Sequence, residues 1–374
     1  MRWLSVFLTA CTLFNKDPIP PARAATVQIE SVEMPKDPKG DVGLWPNVLV
    51  DSEGRVSVVY CDGYLGDVKI ARRDKSGAWL VEVVDSKGAV GKYVTAVMGP
   101  AGVEMIYLDQ TRKTLKYARQ NKGAWQFQDI GSDKEDIGIS GVFALGTHGE
   151  RALVHYDTRN ELLLTQAEKA DLGDGPLKWT TRKLANAGGV HNIKVGAHFD
   201  GAGALHISYP DWNMMSGTFY SVVIAPGQGD FKPLALDTDL VPGLQSALLP
   251  TASGDDIIYM TGRLGHLYET QIANGAAGER VKLTENVAQM AALQTRDGRT
   301  VLGLQVAEDV GLGLGALDLA VRKDGKWERV SIDVQRPVGE YIALAEGPAL
   351  NGVPQIHLAY YDGRKHGLKY VLIH

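Results

Sequence analysis

The chain has 374 residues, of which 44% are hydrophobic and 22% charged, with 43 glycines and 16 prolines. That composition belongs to a globular, turn-rich protein, and the length suits two average domains or one large β architecture. A formal net charge of −5, with no run of five or six basic residues, excludes an electrostatic footprint for nucleic acid or an anionic membrane surface.

The amino terminus reads as an export signal. Arg2 precedes an apolar run from Trp3 to Ala10, and Leu8-Thr9-Ala10-Cys11 resembles the lipobox of bacterial lipoprotein signal peptides. The resemblance implies lipidation of Cys11 and, because Thr12 is not an aspartate, an outer-membrane destination on the periplasmic or surface side. A rival reading extends the apolar region to Phe14 and cleaves after Ala22-Arg23-Ala24, giving a secreted or periplasmic protein. A third leaves an uncleaved anchor or a misassigned start. The expected organisation is therefore a signal over 1–11 (or 1–24), a proline-containing linker over 12–24 and a single domain over 25–374. No later segment approaches the ~18 apolar residues of a membrane helix, so membrane attachment would be through lipid only. Cys61 is the one cysteine beyond the leader, which excludes an intramolecular disulfide framework.

From Ala25 onward one four-stranded grammar recurs. The segment Ala25–Val32 stands alone first and has the pattern of a fourth strand such as Trp79–Asp85. Small-residue first strands follow, among them Val94-Thr95-Ala96-Val97, Val142-Phe143-Ala144-Leu145, Met290-Ala291-Ala292-Leu293 and Ile342-Ala343-Leu344-Ala345. Second strands end in Tyr-x-Asp or a relative; Tyr60, Tyr107, His155, Tyr209, Tyr259, Leu304 and Tyr360 mark them at steps of 45 to 56 residues. Third strands read like Leu115-Lys116-Tyr117-Ala118, and fourth strands begin at Trp79, Trp125, Trp179 and Trp327. Strands crowding a central channel favour small side chains, so the reading is an all-β, seven-bladed propeller. The last unit lacks a fourth strand, which Ala25–Val32 supplies, closing the ring and removing a sheet edge. Leu162–Lys169 and Glu285–Gln294 carry a helical pattern locally, and their register in the repeat assigns them as strands.

Repetition separates blade-building residues from site candidates. Asp62, Asp109, Asp157, Asp211 and Asp362 suit turns that need a side chain bonded to backbone N–H groups. The four tryptophans suit apolar seams between blades. Residues that depart from the repeat cluster on the turns after second strands and on the links between blades. Asp211-Trp212-Asn213-Met214-Met215 reads as an enlarged apolar turn, and Gly188-Gly189-Val190-His191-Asn192 as a glycine-rich link. Trp45, Tyr93, Arg263, Tyr341, Arg364 and His366 fall at comparable positions in other units. An aromatic and polar rim at a channel mouth is what a sugar or peptide site requires. Trp45, Trp212 and Tyr341 are the candidate apolar anchors, with Tyr93 beside them and His191, Asn192, Asp211 and Arg263 as orienting groups.

The chain resembles bacterial exported propellers with sialidase-like (BNR-type) blades, some of which are lipoproteins. His191-Asn192 and Asp200-Gly201-x-Gly203-x-Leu205-His206-x-x-Tyr209 resemble part of the ulvan-lyase type of propeller polysaccharide lyase. That resemblance implies proton transfer by His191 and Tyr209 next to a uronate; a second expected histidine is replaced by Pro210-Asp211-Trp212. Ser-x-Asp-x-Gly-x-Thr-Trp boxes, His-Glu-x-x-His, Cys-x-x-Cys and Gly-x-Ser-x-Gly are absent. Gly311–Ala316 lacks the strand and helix setting of a dinucleotide loop, Glu308-Asp309 and Asp255-Asp256 do not by themselves make a glycosidase pair, and Asp171–Gly175 falls short of a calcium loop. No cofactor and no metal is therefore expected. The expected function is non-catalytic recognition of a glycan or an envelope protein. The alternatives are a polysaccharide lyase or other carbohydrate-active enzyme, and a scaffold subunit of an outer-membrane complex.

Overall fold

The computed structural model describes residues 18–130, 139–168, 175–186, 194–213, 216–229, 231–240, 242–262, 265–307 and 315–373. Seven antiparallel sheets follow one another along the chain. Their inner strands are Val42–Val50, Val90–Gly99, Ile139–Leu145, Gly196–Phe199, Pro242–Thr251, Val287–Gln294 and Glu340–Leu350, which number blades 1 to 7. Each inner strand touches the next, and the seventh touches the first, so the sheets form a closed propeller. The two segments with helical local pattern are the strands Glu161–Ala167 and Val287–Gln294, as their register requires. Among the described residues no helix is long and apolar enough to cross a membrane.

Burial falls outward along each blade. The second strand of blade 1, Val56–Asp62, is buried at every residue, whereas the outer strand Trp79–Asp85 is largely exposed. A strand covered on both faces tolerates no polar alternation, which is why the second strands read as continuous apolar runs.

Ile29–Glu33 pairs antiparallel with Gly367–Ile373 and completes blade 7. This is the closure expected from the unpaired segment Ala25–Val32. Residues 18–24, expected as linker, also meet the propeller. Arg23–Ala24 runs parallel to Lys326–Asp333 at the edge of blade 6, and Ile19 donates its N–H to the Leu283 carbonyl at 2.8 Å and joins the apolar cluster that contains Trp327. Cys11 lies outside the described residues.

Repeated residues tie blades together. The hydroxyls of Tyr107, Tyr259 and Tyr360 donate to Asp85, Asp237 and Asp333 on the outer strand of the preceding blade at 2.8–3.0 Å, and Tyr60 does the same to Glu33. Burial, reinforced by those carboxylates, pushes each phenol well above its usual pKa and keeps it a neutral donor. A hydrogen bond to a charged acceptor contributes about 1.5–3 kcal/mol. Of the tryptophans, Trp79 packs edge-on against Tyr370 of blade 7, Trp179 packs against Tyr117 of blade 2, and Trp125 donates to Glu82 of blade 1. Asp62, Asp109, Asp157 and Asp362 accept from backbone N–H groups two to four residues ahead, as turn aspartates should.

Asp211 differs from its counterparts. In blade 4 the second strand continues to Asn213, with Asp211 opposite Thr218 and Trp212 opposite Gly217. The expected enlarged turn over 211–213 is instead an extended hairpin ladder. Burial raises the Asp211 carboxyl above its ordinary pKa.

Candidate functional site

Three blades share a local device at the channel mouth. Gly43-Leu44-Trp45, Gly91-Lys92-Tyr93 and Gly339-Glu340-Tyr341 begin the inner strands of blades 1, 2 and 7, and the ladder slips there by a β-bulge in each. Trp45, Tyr93 and Tyr341 have φ values of +49°, +57° and +51°, and the glycines before them +98°, +93° and +80°. A side-chain-bearing residue in this region costs about 1–2 kcal/mol. The bulge re-aims the side chain out of the strand's alternation, a use typical of bulges beside sites. Here it gathers three rings: Trp45 lies 5.0 Å from Tyr93 and 5.4 Å from Tyr341, centroid to centroid.

Neighbouring blades brace these bulges. The Asn47 amide donates to the carbonyls of Trp45 at 2.9 Å and Val94 at 3.0 Å, and its oxygen accepts from Ala96 N–H at 3.0 Å. Gln289 of blade 6 accepts the N–H of Tyr341 at 2.8 Å. Beside Tyr341, Tyr361 donates to Asp41 and lies 2.8 Å from His366 Nδ1. Burial, then the nearby Asp41, raises the Glu340 carboxyl above its usual value, and burial with Glu340 and Asp41 pushes the Tyr341 phenol up to about 12.

The other blades fill the same register differently. Counting from the second-strand residue opposite each bulge, Trp45 corresponds to Ser140, Lys194, Gln245 and Gln289 in blades 3 to 6. Lys194 is held by its backbone, whose carbonyl accepts Ser246 N–H at 3.1 Å. No acceptor or carboxylate among the described residues meets its ammonium group, and burial lowers its pKa to about 8. All seven inner strands line a channel cavity of about 360 Å³ that includes Trp45, Tyr93, Lys194 and Tyr341. That volume lies within the about 300–1,000 Å³ of small-ligand sites.

The structure brings together Trp45, Tyr93 and Tyr341. Trp212 enters as a strand residue of blade 4, and Asp211 with it. His191, Asn192 and Arg263 lie outside the described residues, as do 171–174 and 308–314. Tyr209 is 2% exposed, stacked on Tyr220 in the core between blades, at the place of Tyr60, Tyr107, Tyr259 and Tyr360 in their blades. Lys194 carries no local sequence motif. Its only signal is register, since it stands where Trp45 stands in blade 1.

No family model and no curated protein matches the chain. Among solved structures it is similar to AofleA of Arthrobotrys oligospora, with 15% identity over 85% of this chain and 94% of that one, TM-score 0.51. A protein of unknown function from Dyadobacter fermentans shares 12% identity over 92% of this chain and 98% of that one, TM-score 0.54. The Aleuria aurantia lectin, described as six-bladed, shares 12% identity over 80% of this chain and 97% of that one, TM-score 0.52. At these identities the likeness is one of fold: this chain is a propeller with seven blades.

Proposed function

We propose that the protein is a non-catalytic glycan-binding propeller, which holds a sugar ring against Trp45 at the channel mouth. The observation that carries this reading is the convergence of Trp45, Tyr93 and Tyr341 in left-handed bulges around one cavity. Flat aromatic faces cover the apolar face of a pyranose, and Lys194, which lines the same cavity, supplies donors to a sugar oxygen. The fold analogy points the same way, since the Aleuria aurantia lectin is fucose-specific. The leader motif at Cys11 supports export and anchorage to an outer membrane by lipid, so the ligand would be a glycan of the cell envelope or its surroundings.

The test is calorimetry of the protein against a panel of neutral and acidic oligosaccharides, with chromatography of each sample afterwards. Saturable binding of an unchanged glycan, weakened in Trp45→Ala, is the expected result. A new product with an unsaturated or freshly reducing end would make the protein an enzyme, and binding indifferent to Trp45→Ala would remove the mouth as its site.

A further inference from the structure

At the other end of the blade 4 inner strand from Lys194, the junction with blade 5 departs from the repeat in a second way. His198 pairs with His206 across the two inner strands of the blade, and their rings stack at 4.8 Å with an interplanar angle of 20°. The place of His198 is filled by Leu49, Val97, Ala144, Leu249, Leu293 and Ala345 in the other six blades, each opposite the residue three before the second-strand marker. Only blade 4 puts an imidazole there.

Both rings aim at one carboxylate. His198 Nε2 lies 2.7 Å from Asp255 Oδ1, and His206 Nδ1 lies 2.6 Å from Asp255 Oδ2. Asp255 is 2% exposed, and these two imidazoles are its side-chain partners. The corresponding junction between blades 2 and 3 shows what a purely structural solution looks like. There Glu104, in the place of His206, takes a bidentate pair from Arg151, in the place of Asp255, with both bonds at 2.7 Å. Arg151 carries a permanent charge and five fixed donors; an imidazole carries neither.

His206 has a carboxylate beside each of its ring nitrogens. Its Nε2 faces Asp200 Oδ2 at 3.3 Å, and Asp200 is itself held by Ala202 and Ala204 N–H groups at 2.9 and 2.8 Å. A neutral imidazole has one N–H. With that N–H on the Asp200 side, Nδ1 keeps a lone pair beside Asp255, so His206 can offer a ligand nitrogen next to the carboxylate. A ring nitrogen whose partner N–H is held by a carboxylate is the usual state of a metal-ligating histidine. The three ligand atoms of His198, His206 and Asp255 lie within 4.8 Å of one another, on a cluster whose imidazoles remain partly open to solvent.

We propose that His198, His206 and Asp255 form a binding site for a divalent transition-metal cation of the zinc class, oriented by Asp200 and joining blade 4 to blade 5. Two imidazoles and one carboxylate suit zinc over magnesium or calcium, which prefer all-oxygen shells. Three protein ligands leave a coordination position for water on the solvent side. The site is separate from the aromatic mouth, and it stands whether or not that mouth binds sugar.

The experiment uses untagged full-length protein stripped with a chelator and titrated with Zn²⁺ by calorimetry, with Co²⁺ absorption as a second readout. One saturable equivalent and a rise in Tm are expected for the wild type. His198→Leu introduces the residue that blades 1, 5 and 6 carry at this place, a side chain the fold accepts there; it should lose at least tenfold in affinity and the Tm response. Asp200→Asn should lose about tenfold, the scale of an outer-shell partner. Wild-type binding no tighter than that of His198→Leu, with both proteins folded by circular dichroism, overturns the proposal and leaves His206 as an imidazolium between two carboxylates.

Discussion

The two halves of the channel mouth solve one geometric problem with opposite chemistry. In blades 7, 1 and 2 the inner strand opens with Gly-x-aromatic, and a left-handed bulge turns the ring into the mouth. In blades 3 to 6 the same place holds Ser140, Lys194, Gln245 and Gln289, of which Gln245 and Gln289 serve the next blade by accepting the N–H groups of Met290 and Tyr341. Both halves sacrifice stability. The aromatic half holds three side-chain-bearing residues at positive φ, and the polar half desolvates an ammonium group that meets no carboxylate among the described residues. Such costs persist where they serve a site, and here they face one another across a single cavity.

The largest effect should come from the glycine that permits the aromatic half. A Cβ on Gly43 would stand 2.7 Å from Leu368 Cβ and 2.9 Å from its Cα, at φ +98°. Gly43→Val should therefore lose at least about 3 kcal/mol in denaturant unfolding; an unchanged midpoint would show that the bulge is not needed. Asn47→Ala comes next, because it strips partners from the carbonyls of Trp45 and Val94 and from Ala96 N–H. A loss of about 2 kcal/mol is expected, with weaker glycan retention as the two bulges loosen. Trp45→Ala should cost about tenfold in affinity, or 1.4 kcal/mol, while Tm moves by only a few degrees. If Tm falls as steeply as affinity, the ring is core rather than platform.

Lys194→Met should be the mildest, a few-fold loss of affinity with Tm unchanged or raised. The pH dependence gives its sign. Burial lowers the Lys194 pKa from 10.5 to about 8, so the ammonium that donates to the ligand is lost as pH rises through 8, and affinity should fall with it. Stability should move the other way. Between about 8 and 10.5 the unfolded chain binds more protons at this residue than the folded one, so its contribution increases with pH and is lowest below 8. Both slopes should vanish in Lys194→Met.

Much of the fold was legible because a propeller writes one strand grammar seven times, and even the degenerate copies near Tyr259 and Leu304 kept their spacing. Ala25–Val32 announced the closing strand by matching an outer-strand pattern with no sheet of its own. Trp45, Tyr93 and Tyr341 were legible as interruptions at equivalent places. Their left-handed backbone was not, since Gly-x-aromatic is short and common. Asp211 misled because a Tyr-x-Asp ending looks like a turn, whereas two further ladder pairs extend the strand to Asn213. Lys194 was missed for lack of any local motif. His198, His206 and Asp255 were invisible as a cluster because three strands from two blades bring them together. Register across copies, more than residue type, was the signal that could have found both.

The most direct measurement is indole NMR of protein labelled at tryptophan, titrated with a glycan that the calorimetric panel identifies. Trp45 should shift and saturate with the calorimetric affinity, while Trp79, Trp125, Trp179 and Trp327 in the blade seams stay put. A Trp45 signal that does not move while glycan binds would contradict the account of the mouth.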